Sequence, residues 1–206
     1  MIDAPPRAVP PPGPSIVRIG GELTIRIRCL TPADEEALRY GIEHLSAQTS
    51  YQRFLAVRKG ASDAELHYLT HPDGIQHLAL GAELIGLEPA EHSGIAVARS
   101  IFLPESADMA EYAIAVADEF QGRGVGSVLL QHLSEWAQRT GVRRWIGVQL
   151  ATNSGIVRAT SRVATEIERR PMSDGVVEVI WELHPIENVG ATRSEDDRER
   201  PMKRGS

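Results

Sequence analysis

Two hydrophobic periods alternate along the chain, and the points where one gives way to the other mark its elements. In "ELTIRIRCL", residues 22–30, Leu23, Ile25, Ile27 and Cys29 alternate with Thr24, Arg26 and Arg28. A period of two is that of a strand with one face buried. Thr31 and Pro32 then fit the N-cap and first position of a helix, to which Leu38, Ile42 and Leu45 give an apolar face. A second helix follows in "LSAQTSYQRFL". Ser62 and Glu65 of "SDAE" match a capping box that opens a short helix through Thr70. "QHLALGAELIG" and "SGIAVARSIFL" predict two strands joined by the polar turn "LEPAEHS". After a turn from Pro104 to Asp108, "AEYAIAVADEF" predicts another strand.

Val125, Leu129, Leu133, Trp136 and Ala137 recur at helical spacing until Gly141 ends the run. "RRWIGVQL" is a strand, and Asn153 stands where it can cap a weaker helix carrying Ile156, Ala159 and Val163. "TEIERR" and "VVEVIWEL" form a hairpin across "SDG". The order is β-α-α-α-β-β-β-α-β-α-β-β. Consecutive strands without intervening helices argue against a simple doubly wound sheet.

The flanks differ from this body. Pro5, Pro6, Pro10, Pro11, Pro12 and Pro14 crowd the start, so residues 1–21 are expected to be a Pro-rich disordered arm. Residues 185–206, with "RSEDDRERPMKRGS", are expected to be a charged disordered tail, leaving 22–184 as the folded domain. No internal repeat is found.

Composition narrows the function classes. The chain has 206 residues, 42% hydrophobic and 24% charged, which suits one soluble globular domain. Its net charge of −6 provides no overall basic field for nucleic acid or an anionic membrane, and neither is expected as a partner. No apolar run approaches the ~20 residues of a membrane span. The N-terminus lacks the basic-then-apolar order of a signal peptide, so a cytoplasmic protein is expected. Cys29 is the only cysteine, which excludes an intrachain disulfide and reads as a strand thiol. His67 and His71 share a helix face but lack further ligands, so no metal site is expected. Trp136, Trp145 and Trp181 fall at packing positions.

The candidate chemistry centres on "QGRGVG", Gln121 to Gly126, between a strand and a helix. The first amides of a helix lack intrahelical acceptors, and its dipole end is positive. Glycines let that end approach a phosphate closely. A Walker loop would need Lys and Ser or Thr after its last glycine, yet Ser127 and Val128 follow. A Rossmann fingerprint would need its third glycine where Ser127 stands, and an acid at the end of the next strand, which reads "GVQL". What remains is Gln-x-x-Gly-x-Gly.

This pattern resembles the acyl-CoA pyrophosphate loop of the GNAT family of N-acetyltransferases, and the element order fits that family over about residues 24–183. "LSAQTSYQRFL", "AELHYLT", "HLALGAEL" and "AEYAIAVADEFQGRGVGSVLL" are most similar to the catalytic domains of bacterial protein-lysine acetyltransferases. The resemblance implies an α/β (α+β) GNAT fold, with a mixed, mostly antiparallel sheet of about six to seven strands flanked by helices. It implies an acetyl-CoA-dependent enzyme acting on a primary amine, a protein lysine before a small amine, with an acyl-CoA synthetase or another protein as acceptor. A non-catalytic acyl-CoA-binding module is the reading from a different class. Monomer and homodimer stay open.

By the same resemblance Glu111 is the general base, with Glu105 and Glu119 as lesser alternatives. Moving a lysine's proton is needed because its ammonium has a pKa of about 10.4. Gln121, Gly122, Arg123, Gly124, Val125, Gly126 and Ser127 would hold the pyrophosphate. Amides around Ala115, Val116 and Ala117 would pair with pantetheine, and Asn153 would contact the same arm or only cap its helix. Ten residues separate Glu111 from Gln121, about 30 Å if fully extended, so the turn "ADEF" and a strand bulge are expected to shorten the path. Tyr51, Arg53 and Phe54 resemble the family's acceptor-flanking segment, with anchoring of the second helix the equal alternative. The sequence departs from the family after Asn153: a tyrosine that protonates the leaving thiolate and a Gly-Phe pair are absent. Thr160 and Ser161 are the remaining donors there, and Ala164 and Thr165 occupy the pair's place.

Overall fold

The computed structural model describes residues 7–56, 60–86 and 93–186. Its strands are β1 (Ser15–Ile19), β2 (Leu23–Cys29), β3 (His77–Leu84), β4 (Gly94–Phe102), β5 (Met109–Val116), β6 (Arg144–Leu150), β7 (Ala164–Pro171) and β8 (Val176–Leu183). Its helices are α1 (Glu35–Glu43), α2 (Ala47–Phe54), α3 (Asp63–Thr70), α4 (Val125–Thr140) and α5 (Ser154–Thr160). The strands form one sheet in the order β1-β2-β3-β4-β5-β6-β8-β7. Every pairing is antiparallel except β5 with β6.

The sheet has eight strands rather than six to seven. The extra one is β1, in the segment that the proline content assigns to an arm. Val17 and Ile19 pack against the core, and Gly20 and Gly21 turn the chain into β2 with φ of +59° and +81°. The prolines before β1 also lie on the body: Arg7 N–H donates to Thr140 O at 2.8 Å, and Val9 packs against the core. Cys29 Sγ contacts Pro12 O at 3.7 Å. Residues 1–6, the turn at 87–92 and the tail from 187 lie outside the described residues.

Helix α4 covers one face of β3, β4 and β5, burying Val125, Leu129, Leu130, Leu133 and Trp136. Trp136, Trp145 and Trp181 are each at most 1% exposed, so all three are packing residues. Helices α1, α2 and α3 lie over the other face. Ser62 and Glu65 form the expected capping box of α3. The rings of His67 and His71 lie against each other, tilted by 31°, with centroids 3.7 Å apart. Among the described residues no helix is long and apolar enough to cross a membrane.

Candidate active site

The one parallel pairing positions the site. Strands β5 and β6 are joined only at Met109–Arg144, Ala110–Trp145 and Glu111–Ile146; beyond that point they part from each other, β5 staying paired with β4 and β6 with β8. A cleft of about 280 Å³ lies where they part. Glu111 is the last β5 residue in the pairing, is exposed, and lies opposite Ile101 of β4. Its carboxyl does not line the cleft itself.

At the other end, α4 begins at the glycine turn. Gly122 and Gly124 have φ of +70° and +93°, so backbone conformation alone selects glycine at both. Gly126 lies within the first helical turn, where an added Cβ would come 3.4 Å from Ile114 and 3.5 Å from Val116. The first intrahelical bond runs from Val128 N–H to Gly124 O, leaving the N–H groups of Val125, Gly126 and Ser127 without intrahelical acceptors. Gln121, Gly122, Gly124, Gly126, Ser127 and Asn153 line the cleft. The Val125 side chain is fully buried, and only its backbone faces this turn. Arg123 is exposed, 3.7 Å from Glu22 and over the Phe120 ring. Arg158 and Arg162 also line the cleft and were not singled out by any motif.

Strand parity sorts the β5 amides. Ala117 N–H donates to Ile95 O at 2.9 Å, and Leu103 N–H reaches Met109 O, so odd-numbered residues turn their backbone toward β4. The Ala117 amide is therefore engaged, Ala115 faces the same ladder, and the backbone groups of Ile114 and Val116 face the cleft. Within the expected amide set at 115–117, Val116 turns its backbone toward the cleft, as does Ile114, while Ala115 and Ala117 turn theirs toward β4. No register shift occurs between β4 and β5. The path from Glu111 to Gln121 is shortened by a 3-10 turn at Asp118–Phe120, within the expected "ADEF" turn, which rises only about 2 Å per residue.

Gln121 does less for a ligand than for the scaffold. Its side-chain N–H groups donate to Thr49 Oγ1 at 2.9 Å and to Val116 O at 3.0 Å. Thr49 in turn donates to Asp118 Oδ1 at 2.7 Å, as does the Ser46 hydroxyl at 2.6 Å. Partial burial opposes ionisation of Asp118, but the bonds from Ser46 and Thr49 outweigh it and hold the carboxyl below its usual range. These contacts tie α2, with Tyr51, Arg53 and Phe54, to the turn that carries the glycines. Asn153 Oδ1 accepts from Ile156 N–H at 3.2 Å, the helix-cap role, while the residue also lines the cleft.

Neither hydroxyl after Asn153 is unengaged. Ser161 donates to Val157 O at 2.8 Å, and buried Thr160 pairs with the Tyr112 hydroxyl at 3.0 Å. Burial pushes the Tyr112 phenol up to about 12. Glu119 and Glu105 line neither the cleft nor the larger cavity beyond it.

A parallel pair that splays beside a glycine turn is the arrangement that the resemblance to acyltransferases of the GNAT class implies, and comparison with known proteins agrees. The model of the "Acetyltransferase (GNAT) family" matches residues 63–159. Acetyltransferase Pat of Mycolicibacterium smegmatis is 32% identical over 163 residues, 79% of this chain and 47% of that protein. Acetyltransferase PA5475 of Pseudomonas aeruginosa is 35% identical over 129 residues, 63% of this chain and 68% of that protein. The crystal structure of the GNAT domain of S. lividans PAT superimposes with a TM-score of 0.71 at 30% identity, over 82% of this chain and 97% of that one. The chain belongs to the GNAT family and is related in sequence to the Pat acetyltransferases. It spans about half the length of the Mycolicibacterium relative.

Proposed function

We propose that the protein moves an acetyl group from acetyl-CoA to a primary amine, a protein lysine, by direct attack of the amine on the thioester. The observation that carries this reading is the opening between β5 and β6, with Glu111 at its apex and the unpaired first turn of α4 at its mouth. The N–H groups of Val125, Gly126 and Ser127, with the backbone of Gly122 and Gly124, suit the pyrophosphate, and Arg123, Arg158 and Arg162 add positive charge around it. The backbone of Ile114 and the N–H of Val116, whose carbonyl is taken by Gln121, offer ladder groups with which an extended pantetheine arm would pair as an added strand. The same donors are placed for the oxyanion that forms as the amine adds.

Glu111 takes one proton from the ammonium, directly or through water, and the neutral amine then attacks. A C–N bond forms, the C–S bond breaks, the thiolate leaves unassisted because thiols ionise near pH ~8.5, and the nitrogen's second proton passes to solvent. The protein-lysine acceptor is supported by the kinship with the Pat acetyltransferases. Thiol release from acetyl-CoA, measured against a panel of amines and acyl-CoA synthetases, tests the reading. Glu111→Gln should lower turnover by about 10²–10⁴-fold while CoA binding persists. Full turnover in that variant removes Glu111 from the role.

A further inference from the structure

On the face of the sheet under α1 and α2 lies an open cavity of about 840 Å³, in the size range of small-molecule sites. Its walls are largely apolar, with Leu38, Ile42, Val97 and Ala113 among them. It meets the β5–β6 cleft at Arg53 and Ala115, which line both spaces. Arg99 also lines it, from β4, directly opposite Ala113 of β5.

Arg99 is a buried cation with poor partners. It is 4% exposed, yet its guanidinium donates only to Leu69 O and His77 Nε2, both at 3.4 Å. Those are long for hydrogen bonds, and both acceptors are neutral. Among the described residues no carboxylate lies within ion-pair distance of it, whereas the less buried Arg28 on the same cavity wall is paired with both Asp34 and Glu83. Burial and the neighbouring Arg53 charge push Arg99 down to about 10. A guanidinium held out of water beside a second cation is stabilised by an anion, and it recognises a carboxylate through paired donors.

We propose that Arg99, with Arg53, receives a carboxylate carried by the acceptor, so that the amine acetylated at this site has an acidic group within reach of its nitrogen. The inference rests on the acetyl-transfer reading for its amine, and on the cavity alone for its anion. The carboxylate belongs either to a small amino acid or to an acidic side chain flanking a protein lysine; the chemistry is the same.

The test uses the full chain and two matched pairs of acceptors. One pair is 6-aminohexanoate and hexylamine; the other is a lysyl peptide flanked by glutamates and the same peptide flanked by glutamines. Thiol release from acetyl-CoA and calorimetric binding in the presence of CoA are both measured. The carboxylate-bearing member of at least one pair should be preferred by about tenfold or more, and the pair that shows it identifies the source. Arg99→Met should reduce that ratio to about parity, and Arg99→Lys, which keeps the charge but not the fork, should retain part of it. No preference in either pair, or a preference that survives in Arg99→Met, overturns the anion site. A binding preference without thiol release upholds the anion site and overturns the acetyl-transfer reading instead.

Discussion

Replacing Gly124 by alanine separates two costs that coincide at the start of α4. Its φ of +93° lies in the left-handed region, where a side chain costs about 1–2 kcal/mol. The added Cβ would also stand 3.2 Å from Ile19 Cγ2 of β1, tighter than ordinary contact. Gly20 provides the internal control, with φ +59° and nothing within 4 Å of where its Cβ would be. Gly20→Ala should carry the backbone cost alone, about 1 kcal/mol. Gly124→Ala should exceed it by about another 1 kcal/mol, read from urea unfolding at constant m-value. Adding Ile19→Ala removes the obstructing methyl, so the cycle should show a coupling of about 0.5–1 kcal/mol. Calorimetry with CoA completes the experiment: displacing the first turn of α4 should weaken binding about tenfold, and Gly20→Ala, in the β1–β2 turn, should not. If Gly124→Ala costs no more than Gly20→Ala and the coupling is absent, β1 does not constrain the turn. If CoA affinity is unchanged, the turn is not the donor site.

Other expectations concern the buried polar groups. His77 is 7% exposed, and burial with the Arg99 charge pushes its imidazole down to about 4 from the usual 6.5. The unfolded chain therefore gains a proton that the folded one refuses. The stability from this group is complete above pH 6.5 and is lost as pH falls toward 4, with a slope approaching about 1.4 kcal/mol per pH unit. Denaturation across that window should show the slope in the wild type and its loss in His77→Gln; equal slopes refute the assignment. Gly147→Ala should destabilise by about 3 kcal/mol, because its Cβ would lie 2.6 Å from the Tyr112 ring. That ring is held by Trp145 at 5.0 Å and by Thr160, and an unchanged melting temperature would show that it yields.

The element order from Leu23 to Leu183 was legible because each change of period coincides with a cap or a turn residue, as at Ser62 and Gly141. β1 escaped notice because its neighbours are prolines and Ile16 is 68% exposed, the signature of an edge rather than a core strand. The glycine turn was legible, though not for the expected reason alone: two of its three glycines answer to positive φ. Which amides face the cleft depends on whether odd or even residues of β5 bond to β4, and register is a pairing property that no single strand encodes. Arg99 looks like an ordinary residue in "GIAVARSIF" because alternation cannot tell a solvated face from one roofed by a later-packed helix. The latch of Ser46, Thr49, Asp118 and Gln121 joins positions about seventy apart, beyond the reach of local pattern.

That latch has a thermodynamic consequence. Thr49 belongs to α2, on the side where the proposed amine would enter, and its partners Asp118 and Gln121 both immediately precede the turn that would hold the donor. One hydroxyl thus stands in both halves of a two-substrate reaction. A donor that tightens the turn also steadies the wall against which the acceptor must rest, and part of the ordering needed for the second substrate is complete before it arrives. Linkage makes the effect mutual: whatever factor the donor adds to acceptor affinity, the acceptor returns to the donor. The strength of that coupling then becomes a property of four polar side chains rather than of the groups that would react.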